Sequence, residues 1–132
     1  ILADEPTGNL DPANAHGVQE LLFSIAEQYY KAGQNTAAEQ YLFRVIKECD
    51  DENLILKSRM LLGSIYIAEE KYEDAAKEFA GVLEKNANSA DAHYKLGVLY
   101  EKQGDMVKAR SEWRTALRIQ VNHRGALEKL TD

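Results

Sequence analysis

Leu96-Gly97-Val98-Leu99-Tyr100, followed by Ala109, Trp113 and Ala116, is the stretch that decides the fold. The same order of residue types is written twice more. Leu62-Gly63-Ser64-Ile65-Tyr66 leads to Ala75, Phe79 and Val82, and Ile25-Ala26-Glu27-Gln28-Tyr29 leads to Ala38, Leu42 and Val45. Tyr66 and Tyr100 are 34 residues apart and Tyr29 and Tyr66 are 37 apart, so three extra residues separate the first two copies; they are placed at Asn53 to Ile55. Self-similarity at this period marks units that cannot bury an apolar face alone and must stack on their neighbours.

Each copy has helical spacing twice. Leu22, Ile25, Ala26 and Tyr29 fall at i, i+3, i+4 and i+7, one stripe of a helix. Gly33 ends that stripe because it tolerates the left-handed conformation. A second helix then places Ala38, Leu42, Val45 and Ile46 inward, and Asp50 to Asn53 reads as the next turn. The second copy breaks at Glu69-Glu70-Lys71, without glycine, and the third at Gly104-Asp105. Ser89 and Asp105 stand where an N-cap is needed. Small residues at 26, 63 and 97 let the partner helix approach, alanines at 38, 75 and 109 do so from the other side, and Leu42, Phe79 and Trp113 fill the gap.

These residues resemble the tetratricopeptide repeat, whose pattern is Trp-x2-Leu-Gly-x2-Tyr, then Ala, a bulky aromatic, Ala and Pro. The Trp position holds Leu22, Arg59 and His93, and the Pro position Asp50, Ala87 and Val121. The resemblance implies an all-α, tetratricopeptide-type α-solenoid: three helix-turn-helix repeats over 19–52, 56–89 and 90–123, then a short capping helix at 124–132 in which Leu127 and Leu130 keep the stripe.

The opening does not belong to this pattern. Ile1-Leu2-Ala3-Asp4-Glu5-Pro6-Thr7-Gly8-Asn9-Leu10-Asp11-Pro12 resembles the Walker B strand and D-loop of ATP-binding cassette ATPases of the lipoprotein- and macrolide-export type. In that family Asp4 would help hold Mg²⁺, Glu5 would polarise the attacking water, and Asn9, Leu10 and Asp11 would lie at the dimer interface. Phosphoryl transfer also needs a phosphate cradle of the G-x4-G-K-[ST] kind, and the sequence has none. Residues 1–18 therefore read as a fused or foreign piece leading into the first helix, with Asp11 as cap and Pro12 at the first helical position. A fragment or fusion of such an ATPase, inactive alone, is the alternative reading of the whole chain.

Composition narrows the function. A net charge of −6 disfavours nucleic acid as a partner. Cys49 is the sole cysteine, and His16, His93 and His123 lack metal spacing, so neither a disulfide framework nor a metal or other cofactor is expected. No apolar run approaches the roughly 18 residues of a membrane span, so no membrane partner is expected, and the absence of a visible leader gives a cytoplasmic expectation. No nucleophile and base stand in a recognisable motif, so no enzyme is expected.

What remains is a second set of residues on the first helix of each repeat, at positions the family uses for its concave face: Phe23, Glu27 and Tyr30; Met60, Ser64 and Ile67; Tyr94, Val98 and Glu101. Six of the nine are apolar or aromatic. The repeats that clamp acidic tails need Lys and Asn here. This chain has Phe23, Glu27, Leu61 and Asp91 at the corresponding places, and only Lys95 fits. The expected function is therefore a scaffold holding an apolar-anchored peptide or partner helix. Self-association through end surfaces of the Phe79, Trp113 or Leu127 kind is a further alternative.

Overall fold

A computed structural model describes residues 12–131, with side-chain surroundings given from Gly17 onward. The cassette-like residues 1–11, the proposed Asp11 cap and Asp132 lie outside the described residues. Among the described residues the chain is all-α, with seven helices: α1 (Pro12–Lys31), α2 (Asn35–Glu48), α3 (Glu52–Ala68), α4 (Tyr72–Lys85), α5 (Ala90–Lys102), α6 (Met106–Ile119) and α7 (Arg124–Thr131). The described residues form two compact units, divided inside α3 between Ser58 and Arg59.

The first helix of each hairpin ends in the same way. The N–H groups of Gly33, Glu70 and Gly104 donate to the carbonyls of Tyr30, Ile67 and Glu101 at 3.0 Å. Those of Gln34, Lys71 and Asp105 reach back to the carbonyls of Tyr29, Tyr66 and Tyr100 at 2.8, 2.8 and 2.9 Å. This double closure needs one left-handed residue. Gly33 (φ +80°) and Gly104 (φ +86°) supply it without strain, whereas Glu70 adopts φ +62° with a side chain attached. Asp105 then caps α6, its carboxylate accepting from the Lys108 N–H at 3.1 Å; Gln34 and Lys71 make no such side-chain bond. Ser89 caps α5 by accepting from Ala92 N–H at 3.2 Å.

The three extra residues are not loop. They lengthen α3, which begins at Glu52 rather than after a turn through Asn53. Asp51 accepts the Asn53 N–H at 2.9 Å and so caps the added turn. Leu54 holds it in place, packing with Leu22, Val45 and Cys49 and leaving only 5% of its surface exposed.

The alternation of small and large residues becomes a lock. In the second unit, a methyl added at Gly63 would fall 2.5 Å from the Phe79 ring, and one at Gly97 would fall 2.5 Å from Trp113 Cδ1. Each ring sits where its own hairpin's first helix has no side chain, and the Trp113 indole N–H donates to the Tyr94 carbonyl at 3.2 Å. Phe79 also reaches Leu96 and Leu99 of the next hairpin, so one ring serves both junctions. In the first unit the corresponding pair is Ala26 and Leu42, both fully buried: a methyl on one helix, a smaller partner on the other.

The last helix packs in a different register from the one expected. Leu127 is exposed, while Ala126 is fully buried and joins Ala109, Trp113 and Ala116, with Leu130 alongside. Residues 126 and 130 share a face at i, i+4, and residue 127 lies about 100° round the helix.

Candidate functional site

The positions where the repeat pattern calls for tryptophan show how this chain differs from it. Arg59 on α3 pairs with Glu78 on α4 at 3.0 Å, and His93 on α5 pairs with Glu112 on α6 at 2.7 Å. The two pairs have the same separation of 19 residues and stand 34 apart, one period of the repeat. In the first hairpin the same two positions hold Leu22 and Tyr41, which pack together in an apolar cluster. A bulky apolar contact between the helices of a hairpin is thus replaced twice by a hydrogen-bonded polar one. Sequence reading noted the missing tryptophans but not their acidic partners; the shared spacing was the available signal.

In the first unit, Phe23, Glu27 and Tyr30 lie along α1 at i, i+4 and i+7, each half-buried. Phe23 leans on the cluster of Leu22, Val45, Cys49 and Leu54.

The second unit holds the other six candidate residues. Met60 on α3 is half-buried against the cluster of Ile67, Phe79 and Leu96. Ser64 is buried, and its hydroxyl donates to the Met60 carbonyl at 3.2 Å. Ile67 belongs to the cluster itself. On α5, Val98 is half-buried against the same cluster. Tyr94 turns toward α7: its ring lies 5.0 Å from that of His123, and a Cβ at Gly125 would fall 2.7 Å from it. The Glu101 carboxylate accepts a hydrogen bond from Lys129 at 2.7 Å. Of these six, Met60, Val98 and Tyr94 therefore combine apolar character with solvent-reaching surface.

Beside them, burial pushes the Lys95 ammonium below its ordinary lysine range, and the nearby Asp91 carboxylate opposes that shift. Asp91 also accepts from buried His123 Nε2 at 2.7 Å. His123 Nδ1 accepts the Ala126 N–H at 3.2 Å, so the ring carries its proton on Nε2 and serves as the N-cap of α7. His123 stands 34 residues after the capping Ser89, a correspondence sequence reading passed over because histidine is not a usual cap.

Among the described residues no group of three or more His, Cys, Asp or Glu side chains is arranged to hold a metal. No described helix is long and apolar enough to cross a membrane.

Comparison with known proteins agrees with this architecture. Residues 60–120 match the tetratricopeptide repeat family. Among solved structures, YrrB, described as a tetratricopeptide-repeat protein with an unusual peptide-binding site, is 26% identical with a TM-score of 0.74 over 86% of this chain and 57% of that one. The first repeat domain of Spaghetti (RPAP3), bound to an HSP90 peptide, is 16% identical with a TM-score of 0.73 over 88% of this chain and 90% of that one. Among curated proteins, the anaphase-promoting complex subunit CDC16 of Saccharomyces cerevisiae is 31% identical over 110 residues, 80% of this chain and 13% of that protein. A shorter similarity is to the lipoprotein-releasing system ATP-binding protein LolD of Treponema pallidum, 74% identical over 31 residues, 24% of this chain and 14% of that protein. The chain thus spans only about one seventh of the length of these curated relatives. With three hairpins closed alike, two of them locked by a ring on a glycine, and with those matches, residues 60–120 belong to the tetratricopeptide repeat family, the described chain has the tetratricopeptide-type fold, and the chain carries a short LolD-like stretch.

Proposed function

We propose that the chain is a binding scaffold rather than a catalyst, and that it takes a peptide or partner helix through apolar anchors on the first helices of its hairpins. The observation that carries this reading is the half-buried apolar and aromatic side chains that each unit carries on those helices. They are Phe23 and Tyr30 in the first unit and Met60, Tyr94 and Val98 in the second. Phe23, Met60, Tyr94 and Val98 each lean on a core cluster, and all five still reach solvent. Solved proteins of like fold, one described as having a peptide-binding site and one as bound to a peptide, support it. Lys95 is not a ready anion clamp: its ammonium is desolvated and Asp91 stands beside it. An apolar-anchored ligand fits this surface better than an acidic tail.

The test is selection of displayed peptides on the intact chain, followed by Tyr30→Ala and Val98→Ala. Both variants keep their helical circular dichroism and lose about tenfold or more in affinity for the selected peptides. Peptides that bind the variants as well as the parent chain would overturn the reading.

A second reading concerns the opening residues alone. The 74% identity to LolD over 31 residues supports descent of that stretch from a cassette ATPase, over a length greater than the segment 1–18 assigned to it from sequence. We expect no saturable Mg-ATP binding by this chain, measured by calorimetric titration. Saturable binding would restore the ATPase reading.

A further inference from the structure

The chain is acidic as a whole, yet its C-terminal part is basic. Between Met106 and Thr131 there are six Lys or Arg against two Asp or Glu, a net +4 in a chain of net −6. The basic groups are not spread evenly. Arg110, Arg114 and Arg118 form one exposed stripe of α6 at i, i+4 and i+8. Arg118 donates to Thr115, but Arg110 and Arg114 have no ion-pair or hydrogen-bond partner among the described residues.

These two arginines line a cleft of about 430 Å³ between α6 and α7, within the second unit. Its apolar part is Met106, Leu130 and the edge of Trp113. Its far rim is fixed by Lys129, which bonds Glu101 at 2.7 Å and lies 5.5 Å from the centre of the Trp113 ring. Lys129 is therefore already neutralised, while the two guanidiniums are not. A guanidinium presents a rigid fork that fits a carboxylate in two-point contact. Two such forks one helical turn apart, beside an apolar floor, match carboxylates one turn apart beside an apolar side chain.

We infer that this cleft docks an acidic amphipathic helix of a partner protein, with two carboxylates at i, i+4 on Arg110 and Arg114 and a leucine-sized residue over Met106 and Leu130. The surface lies mainly on α6 and α7, with Glu101 of α5 at its rim, and uses none of the apolar anchors Phe23, Tyr30, Met60, Tyr94 and Val98 proposed above, so either can stand without the other. A second copy of this chain and a nucleic acid are the competing occupants. The first would associate without added ligand, and the second would require phosphate contacts rather than paired carboxylates.

The test uses the intact chain and its single tryptophan, Trp113, which reports from the cleft. A short synthetic helix with Glu at i, i+4 and Leu on the adjoining ridge is titrated while Trp113 emission and the arginine side-chain NMR signals are followed. Its Lys-for-Glu counterpart, inorganic phosphate and a DNA duplex are titrated in parallel. The acidic helix is expected to shift Trp113, Arg110 and Arg114, with affinity falling several-fold between low and physiological salt. R110E/R114E is expected to reduce affinity about tenfold or more, and R118E, on the same stripe but outside the cleft, to leave it within about twofold. Both arginines are exposed, so the double variant keeps its melting profile. Failure of the acidic helix to shift these signals at millimolar concentration overturns the proposal. So do equal binding of the Lys-for-Glu peptide, preferential binding of phosphate or duplex, and concentration-dependent shifts of the same signals without any ligand.

Discussion

Gly97→Ala separates the packing account from simple helix propensity, because the two give opposite signs. The added methyl would fall 2.5 Å from Trp113 Cδ1 and 2.8 Å from Cε2. Carbon pairs settle at about 3.5–4.0 Å, so the indole has to retreat by roughly 1 Å. It has little room, being 1% exposed, and retreat stretches its 3.2 Å bond to the Tyr94 carbonyl. Overpacking a filled core costs about 1–3 kcal/mol, and loss of the hydrogen bond about 1 kcal/mol. Helix propensity returns about 1 kcal/mol for replacing glycine by alanine. The net expectation is a loss of about 1–3 kcal/mol, or about 4 °C in Tm for each kcal/mol in a chain of this size. Urea unfolding followed together by circular dichroism and tryptophan emission measures it. The double variant Gly97→Ala/Trp113→Leu rebuilds in the third hairpin the Ala26/Leu42 combination of the first, and is expected to be less destabilised than the two single changes added. A stabilised Gly97→Ala with unchanged emission would refute the lock between glycine and ring.

Glu70→Gly removes a side chain from a left-handed position and is expected to raise stability by about 1 kcal/mol in thermal melts. Asp105→Ala deletes the cap of α6 and should cost about 1 kcal/mol, whereas Lys71→Asp, at the uncapped start of α4, should gain a similar amount. Lys95 has a lowered pKa from burial, so the unfolded chain binds more protons than the folded one in the alkaline range below 10.5, and stability rises with pH there. Lys95→Met should raise Tm near neutrality and flatten that rise, as read from melts across the alkaline range.

The repeats were legible because their information is local. Tyrosine, alanine and a bulky residue at fixed separations specify two helices and the contact between them, whatever lies further along the chain. Gly33 and Gly104 announced their turns for the same reason. The break at Glu69-Glu70-Lys71 was legible too, but the left-handed conformation of Glu70 was not, since it is imposed by the closure between Tyr66 and Lys71 rather than by the residue's own preference. The length of α3 was misread because Asp50 to Asn53 has turn composition, yet burial of Leu54 and the Asp51 cap favour one more helical turn. In α7 the leucines suggested the inner face, but the close approach of Gly125 to Tyr94 sets the helix so that Ala126 faces inward and Leu127 outward.

The candidate face was legible as a set of positions, not as an environment. Ser64 and Met60 are neighbours one turn apart, and only coordinates show that the hydroxyl is spent on the Met60 carbonyl. Glu101 reads as a free carboxylate until Lys129, 28 residues later, closes on it. The pairs Arg59–Glu78 and His93–Glu112 could have been found by applying the 34-residue period to polar positions as well as apolar ones.

The central claim is that the first helices of the hairpins carry the binding surface. The most direct measurement is a backbone and methyl NMR shift map of the intact chain saturated with its tightest selected peptide. The account predicts shifts at Tyr30, Met60 and Val98, with little change at α2 and α4. Shifts confined to α2 and α4, or to α6 and α7 alone, would contradict it.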